Sequence, residues 1–507
     1  MKSAGLKKLF FITTAVLLTA GAAAGEKSLA MKKNTPKSLV IMLDGVRSDA
    51  LLAAATPFLD KLTAQKWHPE YRCFYSFCAR PIPDAPTDSA PNHAAIATGV
   101  TAAKNLVTAN GQIAKGNYQQ YPSYLRRIAE KSGLPTLFCY LWNEDKALDD
   151  HKLVKRLQCP SDEKNCQEML KILQSEDAPA SALWFIDAPD LGGHRSGFYP
   201  YGALYLSALN RCAQYLEAAF NAIAARKDFD RENWLIIITS DHGGIESTHG
   251  PRGSQLETLP FIVVSQDVPA GHGSGMLSNY DCAAMVLQHH NSGQLPAGLD
   301  SRLPELQALD NSASPAILHE TFDEPGISGI SGAAESGFRL GFRNGALKIA
   351  ASASKVKIDS KMQKNAANGS FSCAFYLYLE KDCPAGEIWQ FGNLQLQYAD
   401  NKIFLQCTKN GQKLRIGEFD CRRQMWQLAV ITADCYGNIT LGWGAADGFF
   451  YFASAAADWS ATDDFMLLGG GFTGRIDELL FFDRTVPMMH FSKYYHTLRQ
   501  GGSYDWQ

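Results

Sequence analysis

Apolar runs and amphipathic stretches alternate through the first part of the chain. Residues 38–43, Ser38-Leu39-Val40-Ile41-Met42-Leu43, form a continuous apolar run, β-branched in the middle. Such a run predicts a strand covered on both faces, as in a parallel sheet. Thr56-Pro57 opens a helix to about residue 64, with proline at its first position. A helix over 121–132 and strands over 135–142 and 182–186 follow. Residues 201–226 read as a long amphipathic helix with Leu204, Ala208, Cys212, Tyr215, Leu216 and Ala219 on one face. Residues 234–239 are another buried strand, 259–264 a last one, and 280–289 a helix. Strands alternating with helices predict an α/β sheet covered on both faces.

Beyond 299–314 the pattern becomes two-residue alternation. Phe371, Cys373, Phe375, Leu377 and Leu379 alternate with mostly polar neighbours. Residues 394–398 and 403–407 flank a hairpin turn at Ala399-Asp400-Asn401-Lys402, and 426–433 and 439–443 flank Tyr436-Gly437-Asn438. Short strands at this spacing predict a sandwich. A chain of 507 residues suits two or three domains. The expected division is an export signal over 1–24, an α/β unit over 36–305, a linker over 306–315 and a sandwich over 316–495.

Composition narrows the partners. The net charge of -3 offers no basic field for nucleic acid, so phosphate chemistry would need local positive charge such as metal ions. Lys2, Lys7 and Lys8 precede a short apolar run over 9–20 and the small residues Ala22-Ala23-Ala24, the pattern of a cleaved export signal. The mature protein is therefore expected in the periplasm or outside the cell, with no transmembrane span. Twelve cysteines in an exported chain permit disulfides; Cys159 with Cys166 and Cys73 with Cys78 are close in sequence, and the pairing stays open.

The candidate chemistry gathers at the strand ends. Asp44-Gly45-Val46-Arg47 follows the first strand, Asp190-Leu191-Gly192-Gly193-His194 the 182–186 strand, and Asp241-His242-Gly243 the 234–239 strand, with His249 seven residues past His242. Carboxyl ends of strands face the ligand crevice of open α/β sheets. Three carboxylates and three imidazoles suit zinc, with manganese or iron open on ligand type alone. With the hydroxyl of Ser89 they suffice for two adjacent ions able to hold the attacking and leaving oxygens at phosphorus. Ser89 sits in Pro86-Thr87-Asp88-Ser89-Ala90-Pro91-Asn92-His93, just before the apolar run Ala94-Ala95-Ile96-Ala97, where a helix N-cap is the bland alternative to a nucleophile.

In this order the segments resemble the alkaline phosphatase superfamily over about residues 36–305, with the type I phosphodiesterases and nucleotide pyrophosphatases as the nearest branch. The resemblance implies that Asp44, Ser89, Asp241 and His242 hold one zinc, and Asp190, His194 and His249 the other. It implies Ser89 as a nucleophile forming a phosphoserine, and Asn110 as the contact to a phosphate oxygen, with Asn105 as a nearby rival. Thr87-Asp88-Ser89-Ala90 is similar to true alkaline phosphatases, where the diesterases usually carry threonine at the nucleophile, whereas Pro91-Asn92-His93 is diesterase-like; monoester versus diester preference stays open. Asp187 is the nearby acid for a third, magnesium site, but its spacing departs from that pattern. Sulfatases share the fold, but their modified-residue motif lacks its final serine and arginine here. Phe472-Thr473-Gly474-Arg475-Ile476-Asp477-Glu478 and the apolar run after it resemble the closing strand of laminin-G-like, concanavalin-A-like jelly rolls, over about 316–495. Such modules bind glycans or proteins or serve as spacers. The expected activity is an exported two-metal hydrolase of phosphoric esters; the rival of another class is an inactive glycan- or matrix-binding protein.

Overall fold

The computed structural model describes residues 35–506, apart from 275, 292, 302, 304, 310–315, 325–329, 332–333, 336–340, 351–354, 360–368, 460–464 and 505. The expected export signal over 1–24 lies outside the described residues, as does most of the expected linker. No helix among the described residues is long and apolar enough to cross a membrane.

Nine strands form the first sheet among the described residues. In chain order they are β1 (Thr35–Leu43), β2 (Arg72–Ala79), β3 (Thr136–Tyr140), β4 (Val154–Gln158), β5 (Ser181–Ile186), β6 (Glu232–Ser240), β7 (Leu259–Ser265), β8 (Gly271–Ser274) and β9 (Gln307–Ala308). Their order across the sheet is β4-β3-β5-β1-β6-β7-β2-β8-β9. From β4 to β6 neighbours run parallel; β7 runs antiparallel to β6 and β2. The side chains of β1 explain its continuous apolar run. Leu39, Ile41 and Leu43 enter the core under the helices Pro57–Thr63, Asp162–Gln174 and Ala203–Ala224, while Val40 and Met42 enter the one under Ser89–Thr98, Tyr124–Ser132 and Asp281–His290. A strand buried on both faces needs no polar alternation.

The predicted long helix is Ala203–Ala224, and Ala208, Cys212, Tyr215, Leu216 and Ala219 are buried. Leu204 is not: it is 51% exposed. A four-residue step overshoots one helical turn by about 40°, so two steps carry Leu204 about 80° away from the Cys212 face. Unforeseen elements include β2, whose Arg72-Cys73-Phe74-Tyr75-Ser76 mixes polar and apolar residues, and the C-terminal helix Met488–Arg499.

The second part is an antiparallel sandwich. One sheet runs Ala334–Glu335, Leu347–Ile349, Gly474–Phe482, Phe371–Leu379, Trp426–Ala433, Asn438–Gly444, Phe450–Ala456. The other runs Ile330–Ser331, Val356–Asp359, Phe465–Leu468, Gly386–Phe391, Leu394–Ala399, Lys402–Lys409, Gln412–Asp420. Phe371, Cys373, Phe375, Leu377 and Leu379 all point into the core between them. The intervening Ala374 and Tyr376 are buried too, because the outer face of that sheet meets the C-terminal helix in the same apolar cluster that runs beneath the first sheet. The two parts are thus packed together. Arg80 binds the backbone and hydroxyl oxygens of Ser454, and Gly417 N–H donates to Ser254 Oγ (3.0 Å). Gln307 and Ala308, in the expected linker, pair with β8 at the edge of the first sheet.

None of the twelve cysteines is joined in a disulfide, which corrects the expectation of disulfides. Cys73 is buried in the first core, whereas Cys78 on the same strand turns towards Thr440 of the sandwich, 3.7 Å away. Cys166 is likewise a core residue, whereas Cys159 is half-exposed.

Candidate active site

Two adjacent parallel strands deliver the deepest acids. Asp44 follows β1 and Asp241 follows β6, and the tips are laced together. Asp44 N–H donates to Ile186 O (3.0 Å), Gly45 N–H to Asp241 Oδ1 (2.9 Å) and Val46 N–H to Ser240 Oγ (2.9 Å). Gly45 has φ +71°, and a Cβ there would stand 3.0 Å from both Cα and Oδ1 of Asp190. Glycine is what lets β1 turn this close to the second acid. Asp190 and His194 lie in the helix Ala188–Ser196. Their four-residue separation puts both on one helical face.

Ser89 is the first residue of the helix Ser89–Thr98 and is 7% exposed; Asp88, not Ser89, is the N-cap. Ser89 Oγ lies 3.1 Å from His242 Nε2. His242 Nε2 is 3.2 Å from Asp241 Oδ2 and 3.6 Å from Asp44 Oδ1. Ligands about 2.0–2.1 Å from a tetrahedral zinc stand roughly 3.3 Å apart, the separation at which Ser89, Asp241 and Asp44 each stand from His242 Nε2. The second set matches: His194 Nε2 is 3.3 Å from Asp190 Oδ2, and His249 Nε2 3.7 Å from Asp190 Oδ1. Asp44, Asp190 and His242 also present ligand atoms within 4.8 Å of one another, so the sets adjoin.

The histidines are aimed. Nδ1–H of His242 donates to Gly243 O (2.9 Å), that of His194 to Ser247 O (2.8 Å) and that of His249 to Thr87 O (3.0 Å). A carbonyl can only accept, so each ring keeps its Nε2 lone pair for the cavity, the arrangement that orients metal-binding histidines. Facing them, Asp44 Oδ1, Asp190 Oδ1 and Asp241 Oδ2 are buried without a hydrogen-bond partner. Three orphaned carboxylate oxygens opposite three imidazole lone pairs fit cations.

The electrostatics agree. Burial, then the charges of Asp241 and Asp190, push the Asp44 carboxyl well above its ordinary value. Burial also raises Asp190, against the pull of His249 and His194. Burial opposes the charge of Asp241, yet His242, His93 and the Gly45 N–H hold it below the usual range. Burial and His242 push the His249 imidazole down to about 4.

Asn110 and Asn105 differ plainly. Asn110 Oδ1 accepts from Ala90 N–H (2.9 Å), next to Ser89. Asn105 is fully buried, its amide consumed by Val100 O (3.0 Å) and Val107 N–H (2.9 Å). One residue at the centre escaped the sequence reading as a site member. His93 is fully buried, with Nε2 3.2 Å from Asp44 Oδ2 and 3.3 Å from Asp241 Oδ2, and Nδ1 2.9 Å from Asp145 Oδ1. Burial alone would lower its imidazole, but Asp145, Asp241 and Asp44 raise it well above the ordinary value. The Asn92-His93 pair was a visible signal; Asp145, in an unremarkable polar stretch, was not.

Residues 38–138 match the family model of the type I phosphodiesterases / nucleotide pyrophosphatases. No curated protein matches the chain. Among solved structures, an inactive variant of murine ectonucleotide pyrophosphatase / phosphodiesterase 5 in complex with AMP is 13% identical, with TM-score 0.38, over 52% of this chain and 96% of that one. A 2-O GAG sulfatase is 12% identical, with TM-score 0.39, over 53% and 73%. The lipoteichoic acid synthase LtaP from Listeria monocytogenes is 12% identical, with TM-score 0.40, over 53% and 74%. These three are distant likenesses. The segment that matches the type I phosphodiesterase / nucleotide pyrophosphatase model, residues 38–138, carries Asp44, Ser89 and Asn110.

Proposed function

We propose that the protein is an exported hydrolase of phosphoric esters, diesters or nucleotide pyrophosphates, that works through two divalent ions and a phosphoserine on Ser89. The observation that supports it most is the convergence of three orphaned carboxylate oxygens, three oriented Nε2 atoms and one buried hydroxyl at coordination spacing. In this reading Asp44, Ser89, Asp241 and His242 hold one ion and Asp190, His194 and His249 the other, zinc being the metal that the donor set suits best. When bound, the ions supply positive charge to the attacking and leaving oxygens.

The residues of the chain do the rest. Ser89 Oγ donates an electron pair to phosphorus as its proton passes to solvent water. The Oγ–P bond forms while the bond to the ester oxygen breaks, and that oxygen leaves with the pair and takes up a proton. Water then attacks the phosphoserine; its oxygen bonds to phosphorus, the Oγ–P bond breaks, and Ser89 regains a proton. Asn110 Nδ2 donates to a non-bridging oxygen, and the start of the helix Ser89–Thr98 adds its dipole, Ala90 N–H being taken by Asn110 Oδ1 and Pro91 having none. The α/β unit of this reading spans 36–305 and the sandwich 316–495.

The deciding experiment compares turnover of bis(4-nitrophenyl) phosphate with that of 4-nitrophenyl phosphate by the metal-loaded protein, alongside metal content. Faster diester turnover with about two ions per chain is expected. A strong monoester preference would make the protein a phosphomonoesterase, and an absence of metal would leave a binding protein.

A further inference from the structure

Asp88 stands immediately before Ser89 as the N-cap of the helix Ser89–Thr98, yet its carboxylate does not cap. An N-cap aspartate ordinarily accepts from a backbone N–H of the first turn. Asp88 makes no such side-chain bond. Its carboxylate instead lies beside the site, with Oδ1 3.6 Å from Nδ1 of His249. We propose that Asp88, with Glu144 as a weaker second, is a specificity-determining residue that sets this centre against dianionic phosphate monoesters and selects esters of single charge. The assignment rests on the hydrolase reading above and narrows its substrate class.

Three observations carry it. The first is that the charge of Asp88 goes unanswered. Among the described residues His249 is its one ionic contact, and that ring gives its Nδ1–H to Thr87 O (3.0 Å). An imidazole that offers Nε2 to a metal is neutral and brings no counter-charge. The Asp88 side chain is 22% exposed, so solvent screens it only in part. Its field reaches the cavity, because it acts on His242, whose Nε2 is 3.1 Å from Ser89 Oγ.

The second is another carboxylate next to the phosphate contact. Glu144 Oε2 accepts from the N–H of Gly111 (2.9 Å), the residue after Asn110. Asn110 Oδ1 is itself joined to Ala90 N–H (2.9 Å). Ser89 and Asn110, the two residues that meet the phosphoryl group in this reading, thus each have a carboxylate at the adjoining residue.

The third is the supply of positive charge. Asp44, Asp190 and Asp241 bring one negative charge fewer than two divalent ions supply, so a phosphoryl group of single charge balances the centre. A second charge would need a cation from the chain. Arg47 is paired with Asp49 (2.6 Å) and Arg252 with Glu257 (2.6 Å). Arg195 follows His194 in the helix Ala188–Ser196, about 100° round from it and off the face that carries Asp190 and His194.

The test uses the full-length, metal-loaded protein at about pH 8 and two esters that share one leaving group. Methyl 4-nitrophenyl phosphate carries one charge, and 4-nitrophenyl phosphate carries two. The parent should favour the diester. Asp88→Asn keeps a good N-cap residue and should keep the melting temperature. It should raise kcat/KM for the monoester relative to the diester by about tenfold, and Glu144→Gln by about threefold, in both cases more at low ionic strength than at high. Calorimetry gives a reading apart from turnover: inorganic phosphate should bind the metal-loaded Ser89→Ala protein about tenfold more tightly once Asp88→Asn is added. An equal change on both esters would make Asp88 a positioning residue for His249 and overturn the selection. So would an unchanged ratio, a parent that prefers the monoester, or monoester turnover that Arg195→Gln alone abolishes; each of these leaves the hydrolase standing. Failure of the parent to cleave either ester would overturn the hydrolase reading and the selection with it.

Discussion

The two halves of the candidate centre are built differently. Asp44, Asp241, His242 and Ser89 are at most 7% exposed, and they sit at the tips of two laced strands and the first residue of a buried helix. Asp190, His194 and His249 come from the helix Ala188–Ser196 and from a loop past β6, and the His194 side chain is 40% exposed. A group fixed by a sheet end cannot move without distorting the sheet, whereas a loop histidine can. The buried half is therefore suited to holding the nucleophile in one geometry. The open half is suited to exchange of metal, leaving group and water. The rings of His242 and His249, 4.0 Å apart, join the halves.

The largest expected effect breaks the buried half at its hydroxyl. Ser89→Ala should lower turnover of a phosphate diester by about 10³-fold or more, since residual catalysis would come only from binding and electrostatics. Steady-state kinetics with metal analysis checks it, and full turnover in this variant would end the covalent mechanism. Next is His93, which touches no substrate in this reading and acts through Asp44 and Asp241. His93→Asn should weaken one metal by about 10–100-fold and leave the other in place. Competition with a chromophoric chelator reads the affinity. The cobalt-substituted protein gives a second reading, because loosened carboxylates should change the absorption of one site only. Equal weakening of both metals would mean a general loss of packing. His194→Gln should cost less, about tenfold in affinity at the open half, and excess zinc should restore activity because the site is reachable from solvent. No rescue by zinc would show that the two halves do not differ in access.

The sequence carried the parts of this comparison unequally. Runs such as Leu39–Leu43 and Ile236–Ile238 are apolar at every position, so the central strands and the acids after them were legible at once. Asp190 and His194 were legible as a pair but not as a helix, because Pro189, Gly192 and Gly193 are poor helix formers that tertiary packing overrides. Gly192 and Gly193 are small for a reason seen only in three dimensions: a Cβ at Gly192 would meet the Leu204 backbone at 2.9 Å, and one at Gly193 the Phe198 ring at 2.3 Å. β2 escaped because its neighbours β7 and β8 come from much later in the chain, so local pattern says little about it. The same holds for Asp145. It joins the centre only through His93, fifty-two residues earlier. The disulfide expectation failed for a related reason, since closeness in sequence says nothing about which face of a strand a thiol occupies.

The smallest effect concerns protons at the junction of the halves. An imidazole ordinarily titrates near 6.5, and that of His249 is held down to about 4 by burial and by His242. A depressed folded-state value means that the unfolded chain takes up the proton first as pH falls. The stability linked to this group is then complete above about 6.5 and is lost as the pH falls towards about 4. In the chelator-treated protein, His249→Gln removes that titration, so its melting temperature should fall less steeply across this window than that of the parent. Asp44 and Asp190, both raised by burial, act in the opposite sense, because they favour the folded state at low pH in both proteins. Asp44 cancels when the two melting curves are subtracted, and Asp190, freed of the pull of His249, is raised further in the variant and adds to the difference in the same direction. A difference curve that rises as the pH falls towards 4 would tie the junction to His249, and a flat one would show its imidazole to be no less solvated than that of the exposed His194.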